Sequence, residues 1–332
     1  MNQKKISKNI ISTIYIGGGT PSIINEKFIN QILTSIRSKY IITNDCEITI
    51  EANPDDISKK KINSWKKFGI NRISLGVQSF NDKILKKLNR SHNSNVALNA
   101  IEKIKNLFTN YSIDLMFGTP DSNYNTVLDD LKKIKEISPP HVSIYNMTIE
   151  ENTIIEKQLK KEKISLPDNN IIMNHFDKIQ SFMKEIGYYN YEMSSYCKEG
   201  FKSKHNSNYW MDKSYIGFGP AAHSYDKNFR YWNISDNDIY INKIKKNEKI
   251  FLKEKLSVNN KINEYIMTRI RTSMGIDLEE LKKKFEINLY EKRNVEIDRM
   301  VKNMLLKKSN KKIRLTNEGK KIVDHITTKI MI

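Results

Sequence analysis

Short apolar runs and stretches with helical spacing alternate along the first half of the chain, and this alternation restricts it to few folds. Five runs rich in apolar residues predict strands. Between them, apolar residues recur at intervals of three and four, which predicts amphipathic helices. Strands that alternate with helices predict an α/β fold with a parallel sheet or barrel. The predicted strands are 11–16, 47–51, 72–78, 112–117 and 141–147, and the predicted helices are 28–36, 57–68, 96–107, 128–137 and 168–186.

Glycines and polar residues follow the predicted strands, at the edge of a parallel sheet where ligands bind. The first strand ends in a Gly-Gly-Gly-Thr-Pro turn, and the second ends at Glu51. The third ends at Gln78, Arg90 follows twelve residues later, and the fourth contains Asp114. One such residue alone is usually part of a turn or a helix cap. Their recurrence at successive strand ends favours a ligand site at this rim.

The chemistry of these residues indicates a ligand with an amino acid end and a ribose end. Three consecutive glycines let a ligand meet bare backbone. They do not match the dinucleotide fingerprint, and no Gly-Lys-Ser/Thr follows, so neither a Rossmann nor a P-loop site is predicted. Glu51 could accept hydrogen bonds from ribose hydroxyls, Arg90 could bind a carboxylate through two hydrogen bonds, and Asp114 could accept from an amine.

Five segments occur in an order that is typical of one known family. Together they resemble the radical S-adenosylmethionine (SAM) proteins of the oxygen-independent coproporphyrinogen III oxidase family. The resemblance implies a partial parallel (β/α)6 barrel followed by a small helical, winged-helix-like C-terminal domain. The segments are 16–22 (Ile-Gly-Gly-Gly-Thr-Pro-Ser), 50–54 (Ile-Glu-Ala-Asn-Pro), 72–80 (Arg-Ile-Ser-Leu-Gly-Val-Gln-Ser-Phe), 88–92 (Leu-Asn-Arg-Ser-His) and 113–120 (Ile-Asp-Leu-Met-Phe-Gly-Thr-Pro).

The resemblance also implies roles for the residues at the strand ends. Gly18 and Glu51 match positions that hold SAM in the family. Further positions match those of a second SAM molecule, and whether the protein binds one or two stays open. No residue is assigned as catalytic. The positions for the second SAM are Gly19, Thr20, Gln78, Arg90 and Asp114.

A segment downstream of the predicted barrel resembles one branch of the family, the HemW haem chaperones. The residues His205-Asn-Ser-Asn-Tyr-Trp210 match the H-N-x-x-Y-W signature of that branch, and 215–223 and 230–233 are also similar to it. Imidazole is a good axial ligand for haem iron. We therefore expect His205 to contact haem, with His223 as a second candidate. The alternative is a buried aromatic cluster that contains a structural histidine.

The cysteine motif that defines radical SAM proteins is not found in this sequence. The motif, C-x-x-x-C-x-x-C, supplies three thiolates to a [4Fe–4S] cluster, whereas this chain has only Cys46 and Cys197. We therefore expect an N-terminally truncated barrel with no metal ligands for the cluster that the intact family carries. Two explanations stay open, a misassigned gene start and a genuinely eroded protein.

Three domains are expected from the resemblance: a barrel at 1–200, a connecting segment at 201–250 and a helical domain at 251–332. The net charge of +19 raises the alternative of a nucleic-acid-binding protein. The chain has 48 lysines and 9 arginines, however, and the lysines are scattered. This pattern indicates compositional drift, so no nucleic acid partner is expected.

The expected function is that of a HemW-like chaperone, which binds haem and transfers it to haem-accepting proteins. The alternative within the family is an oxidase that acts on coproporphyrinogen III. Two cysteines favour a reducing, cytoplasmic setting. No run of apolar residues is long enough for a transmembrane helix, which leaves peripheral membrane contact open.

The missing cysteine motif generates the first prediction. Anaerobic reconstitution of the 332-residue chain with iron and sulfide should leave it without a [4Fe–4S] signal in electron paramagnetic resonance, because two cysteines cannot supply three thiolates. A cluster signal accompanied by reductive cleavage of SAM would contradict this expectation.

Overall fold

A computed structural model describes residues 10–151 and 153–332 of the chain. The chain divides into two compact units, Met1–His205 and Asn206–Ile332. The first unit contains the predicted barrel strands. The further division of the second half at residue 250 stays a prediction.

The first unit is built on a seven-stranded sheet with the order β1-β2-β3-β4-β5-β7-β6. Strands β1 to β5 pair in parallel, and β7 is antiparallel to both of its neighbours. The predicted parallel α/β architecture is confirmed. The sequence did not indicate β6 and β7, because two or three residues are too few to show a period. The strands are β1 Ile10–Ile16, β2 Ile41–Ala52, β3 Arg72–Gln78, β4 Tyr111–Phe117, β5 His141–Asn146, β6 Tyr189–Asn190 and β7 Ser195–Cys197.

Helices connect these strands, and most of them begin at a residue whose side chain accepts a backbone N–H of the first turn. Asn25, Ser58, Asn93 and Asp168 are such caps. Each satisfies a donor that the helix itself leaves unpaired. The helices are α1 Glu26–Lys39, α2 Lys59–Lys67, α3 Asp82–Lys87, α4 Ser94–Lys105, α5 Tyr124–Ile137, α6 Ile154–Lys160, α7 Asn169–Glu185 and α8 Lys204–Trp210.

The two faces of the sheet differ in chemistry because successive side chains of a strand point to opposite sides. One face is apolar and forms a buried core with the helices. Its strand residues include Ile48, Ile50, Ile73, Leu75, Ile113 and Leu115. The alternate positions form the other face, which we call the polar face. It includes Thr13, Tyr15, Glu47, Thr49, Glu51, Arg72, Ser74, Ser112, Asp114, His141, Ser143 and Tyr145.

The second unit has two small antiparallel sheets, in the orders β10-β9-β8 and β11-β13-β12. Its hydrophobic core joins the last helices to the second of these sheets. No helix in the described part of the chain is both long and apolar enough to cross a membrane. The elements are β8 His223–Tyr225, β9 Phe229–Asn233, α9 Asn237–Lys245, β10 Phe251–Lys255, α10 Val258–Ile270, β11 Ile276–Asp277, α11 Leu278–Phe285, α12 Leu289–Lys302, β12 Leu306–Lys308, β13 Lys312–Leu315, α13 Asn317–Lys321 and α14 Val323–Ile330.

Neighbouring residues on α1 provide a test of where the core of the first unit lies. Leu33 is 0% exposed, whereas Ile32 beside it is 45% exposed. Leu33→Ala should lower the free energy of unfolding by about 2–5 kcal/mol, because it removes buried methyl groups and leaves a cavity. Ile32→Ala serves as the matched control and should change it by about 1 kcal/mol or less. Equal losses in urea denaturation would contradict this placement of the core.

Candidate functional site

The glycine turn after β1 lies beside the carboxylate of Glu51 at the end of β2. The backbone N–H of Gly18 donates to Glu51 Oε2 at 3.1 Å, and the Tyr15 hydroxyl donates to Oε1 at 2.7 Å. A Cβ on Gly17 would lie 2.5 Å from the Tyr15 ring, so this position needs a glycine. Gly18 and Gly19 have positive φ angles, and the space around their missing Cβ atoms is open. The turn therefore presents bare backbone beside a fixed carboxylate.

Gln78, another predicted rim residue, contacts Tyr145 of β5. The Tyr145 hydroxyl donates to Gln78 Oε1 at 2.9 Å. The pKa of Tyr145 is raised to about 12, mainly by burial and also by the carboxylates of Asp114 and Glu51, while the Arg90 guanidinium opposes the shift. The structure thus places Gln78 against a tyrosine whose pKa also responds to three other predicted rim residues.

Asp114 is held by Ser74 of the neighbouring strand β3 and by Ser112 of its own strand β4. Its two carboxylate oxygens accept hydrogen bonds from Ser74 Oγ at 2.8 Å and from Ser112 Oγ at 2.9 Å. Burial raises the pKa of Asp114, and the serine hydrogen bonds oppose that shift. Ser112 Oγ also lies 2.8 Å from Nδ1 of the buried His141. Asp114 is thus an acceptor whose orientation is fixed from several sides.

Gln78 has a backbone conformation that is uncommon for a residue other than glycine. Its φ angle is +70°, at a register shift between β3 and β4. The loop that follows is held by Asp130 of α5, which accepts from Ser79 Oγ at 2.8 Å and from the Phe80 N–H at 2.6 Å. These bonds fix the loop that follows Gln78 against α5.

Thr20 and Arg90 lie in the loops of the same rim. Thr20 precedes a single turn of 3-10 helix, Pro21–Ile23, and its side chain does not cap that turn. Arg90 follows α3, and its backbone N–H donates to the Leu85 carbonyl at 2.9 Å. Within the part of the chain that the structure describes, the Arg90 guanidinium forms no ion pair within 4.0 Å. It therefore has capacity for an anionic group.

His205 lies at the start of α8, against the polar face of the sheet. Its ring stacks on Tyr15 with centroids 4.7 Å apart and an interplanar angle of 23°. Its Nδ1 lies 2.9 Å from Thr13 Oγ1, and its backbone N–H donates to Glu47 Oε1 at 2.9 Å. Burial, assisted by the charge of Arg72, lowers the pKa of His205 to about 4. The imidazole is therefore neutral at physiological pH.

The two cysteines do not fit an iron–sulfur cluster. Cys46 lies in the apolar core, on the helix-covered face of β2. Cys197 pairs in register with His141, which places it on the polar face. Burial raises the pKa of each thiol to about 11. Among the described residues, no three His, Cys, Asp or Glu side chains are grouped as metal ligands.

Several residues of the site were not predicted from the sequence, among them Tyr15, Glu47 and Arg72. Tyr15 holds Glu51, and the buried Arg72 pairs with Glu47 at 3.9 Å. The available signal was the alternation within β1, where Thr13 and Tyr15 occupy every second position between isoleucines. In a strand covered on one face, that alternation predicts that Thr13 and Tyr15 both point away from the apolar core.

Comparison with known proteins first defines the class. The radical SAM superfamily model matches residues 2–134, and the model of the HemN C-terminal domain matches residues 256–321. The fold is similar to that of coproporphyrinogen III oxidase (HemN) from Escherichia coli, with a TM-score of 0.85 and 19% identity, over 99% of this chain and 80% of that one. The first unit is thus the half-barrel of a radical SAM protein, and a HemN-like C-terminal domain follows.

Curated relatives then define the branch. The chain is 31% identical to the heme chaperone HemW of Lactococcus lactis over 323 residues, which are 97% of this chain and 85% of that relative. It is 40% identical to HemW of Buchnera aphidicola (subsp. Schizaphis graminum) over 218 residues, 66% of this chain and 57% of that relative. It is 37% identical to HemW of Escherichia coli over 214 residues, which are 64% of this chain and 56% of that relative. The chain belongs to the HemW family, and the last two matches span little more than half of those relatives.

The lowered pKa of His205 predicts a pH effect on stability. Between about pH 6.5 and pH 4 the unfolded chain protonates this histidine, whereas the native state does not. The associated stability is therefore complete above about pH 6.5 and is lost as the pH falls. In urea unfolding at pH 7.5 and pH 5, the wild type should lose more stability than His205→Phe, which keeps a ring but cannot titrate. Identical losses would show that His205 is not buried as described.

Proposed function

We propose that the protein is a haem chaperone, which binds haem and passes it to haem-dependent proteins. The observation that carries the proposal is the geometry of His205. Iron requires a neutral imidazole, and histidines that bind metals are usually oriented by a hydrogen bond at the other ring nitrogen. His205 is neutral, and Thr13 contacts its Nδ1. The imidazole of His205 would therefore be the axial ligand of the haem iron.

Family membership supports the same proposal. The relatives from Lactococcus lactis, Buchnera aphidicola and Escherichia coli are all named heme chaperone HemW. The likeness to HemN, at 19% identity, concerns the fold alone. The oxidase alternative therefore has no support of its own from that likeness, and the H-N-x-x-Y-W motif at 205–210 favours the chaperone.

We further propose that the rim at the strand ends holds SAM. Glu51, fixed by Gly18 and Tyr15, would accept hydrogen bonds from the ribose hydroxyls. Arg90 would bind the carboxylate of the amino acid end, and Asp114 would accept from its amine. Bound SAM supplies a reactive sulfonium centre. The alternative assignment implied by the family resemblance, to a second SAM molecule, also stays a proposal for Gly19, Thr20, Gln78, Arg90 and Asp114.

Radical chemistry is not part of the proposal for this sequence. Reductive cleavage of SAM needs an electron from an iron–sulfur cluster, and the chain has two cysteines, on opposite faces of one sheet. Both thiols are protonated at neutral pH, because burial raises their pKa. The haem-accepting partner proteins, and a location in the cytoplasm, are expectations drawn from the family and from the unpaired thiols.

Haem titration of histidine variants tests the chaperone proposal. His205→Ala should weaken haem binding at least about tenfold and change the Soret band, because the iron loses its axial ligand. His325→Ala, at an exposed histidine of α14, is the matched control and should bind haem like the wild type. Unchanged binding by His205→Ala would remove this ligand assignment. Anaerobic turnover of coproporphyrinogen III by the wild type would favour the oxidase instead.

A further inference from the structure

Two direct contacts connect His205, through Tyr15, to the carboxylate of Glu51, which is proposed to bind SAM. Its ring stacks on Tyr15 at 4.7 Å, and the Tyr15 hydroxyl donates to Glu51 Oε1 at 2.7 Å. The second oxygen of Glu51 accepts the Gly18 N–H at 3.1 Å. The histidine of the H-N-x-x-Y-W motif therefore lies beside the strand end at which SAM recognition is proposed. A role limited to haem does not account for these contacts.

The imidazole cannot move freely away from Tyr15. Its Nδ1 lies 2.9 Å from Thr13 Oγ1, on the same strand as Tyr15. The carboxylate of Glu47 accepts the backbone N–H groups of Lys204 at 3.1 Å and His205 at 2.9 Å. Glu47 is itself buried beside Arg72. The ring of His205 is thus fixed at the backbone and at the side chain, and it forms a rigid support for Tyr15.

We propose that His205 and Tyr15 are positioning residues for SAM, which act by fixing the carboxylate of Glu51. The inference rests on the proposed SAM site. A glutamate side chain has several rotamers, and one that is already fixed loses less conformational entropy when the ligand binds. Removal of the His205 ring would let Tyr15 change rotamer, and Glu51 would lose a hydrogen bond that orients it.

The expected size of the effect follows from the two contacts. A stacked aromatic pair and a hydrogen bond to a carboxylate each correspond to about a two- to tenfold change in a binding constant. His205→Ala and Tyr15→Phe should therefore each weaken SAM binding by about that factor. The double variant should bind SAM with about the same affinity as the weaker-binding single variant, since both changes interrupt one chain of contacts.

Isothermal titration of the full chain with SAM tests the proposal. The variants are His205→Ala, His205→Phe, Tyr15→Phe and the double variant, with Glu51→Gln as the reference for loss of the site. Glu102→Gln, at an exposed glutamate of α4, is the charge-matched control. His205→Phe is the decisive variant because a phenyl ring can stack on Tyr15 but cannot bind iron. It should retain SAM affinity within about twofold of wild type and lose haem binding.

The outcomes separate this inference from the proposed function. If Glu51→Gln weakens SAM binding but His205→Ala and Tyr15→Phe do not, the positioning role is overturned and the SAM site stands. If His205→Phe binds SAM as weakly as His205→Ala, a stacked ring does not support Tyr15 and the inference fails. If the wild type does not bind SAM, the proposed site and this inference are both overturned. Circular dichroism of each variant verifies that it is folded.

Discussion

The buried carboxylate of Glu47 is the interaction on which the polar face of the sheet depends. Its side chain is 4% exposed, it lies 3.9 Å from Arg72 Nε, and it accepts the N–H groups of Lys204 and His205. Removal of one partner from a buried ion pair typically costs about 3–5 kcal/mol. The chain returns to β2 after 158 residues, and its backbone N–H groups there donate to this carboxylate. That return brings the histidine of the family motif against β1.

The rim could be predicted from the sequence, because parallel strands end at one edge whatever their exact register. Gly18 and Glu51, both taken from strand ends, do form a hydrogen bond. The contact between Thr13 and His205 could not be predicted, since it joins residues 192 positions apart. No local period encodes such a contact. It depends on the position of the first turn of α8, where the backbone N–H groups of Lys204 and His205 donate to Glu47.

Burial favours the neutral forms of the titratable groups on the polar face. The pKa values of His141 and His205 are lowered, so that both are neutral, and the pKa of Asp114 is raised. The net charge of +19 is therefore carried by lysines elsewhere and does not describe the site. Arg72 is countered by Glu47, which leaves Glu51 as the acceptor beside the glycine turn. Such a face suits a ligand that has hydroxyl and ammonium donors, in spite of the basic chain.

Recognition of SAM and ligation of a cluster make separate chemical demands on a radical SAM protein. Recognition needs acceptors and bare backbone at strand ends, which Glu51, Gly18 and Tyr15 supply through bonds within β1 and β2. Ligation needs three thiolates, and Cys46 and Cys197 lie on opposite faces of the sheet. Because the first set is held together by its own contacts and by His205, it does not require the second to keep its shape. The residues proposed to recognise SAM are therefore held in place by contacts that involve neither cysteine.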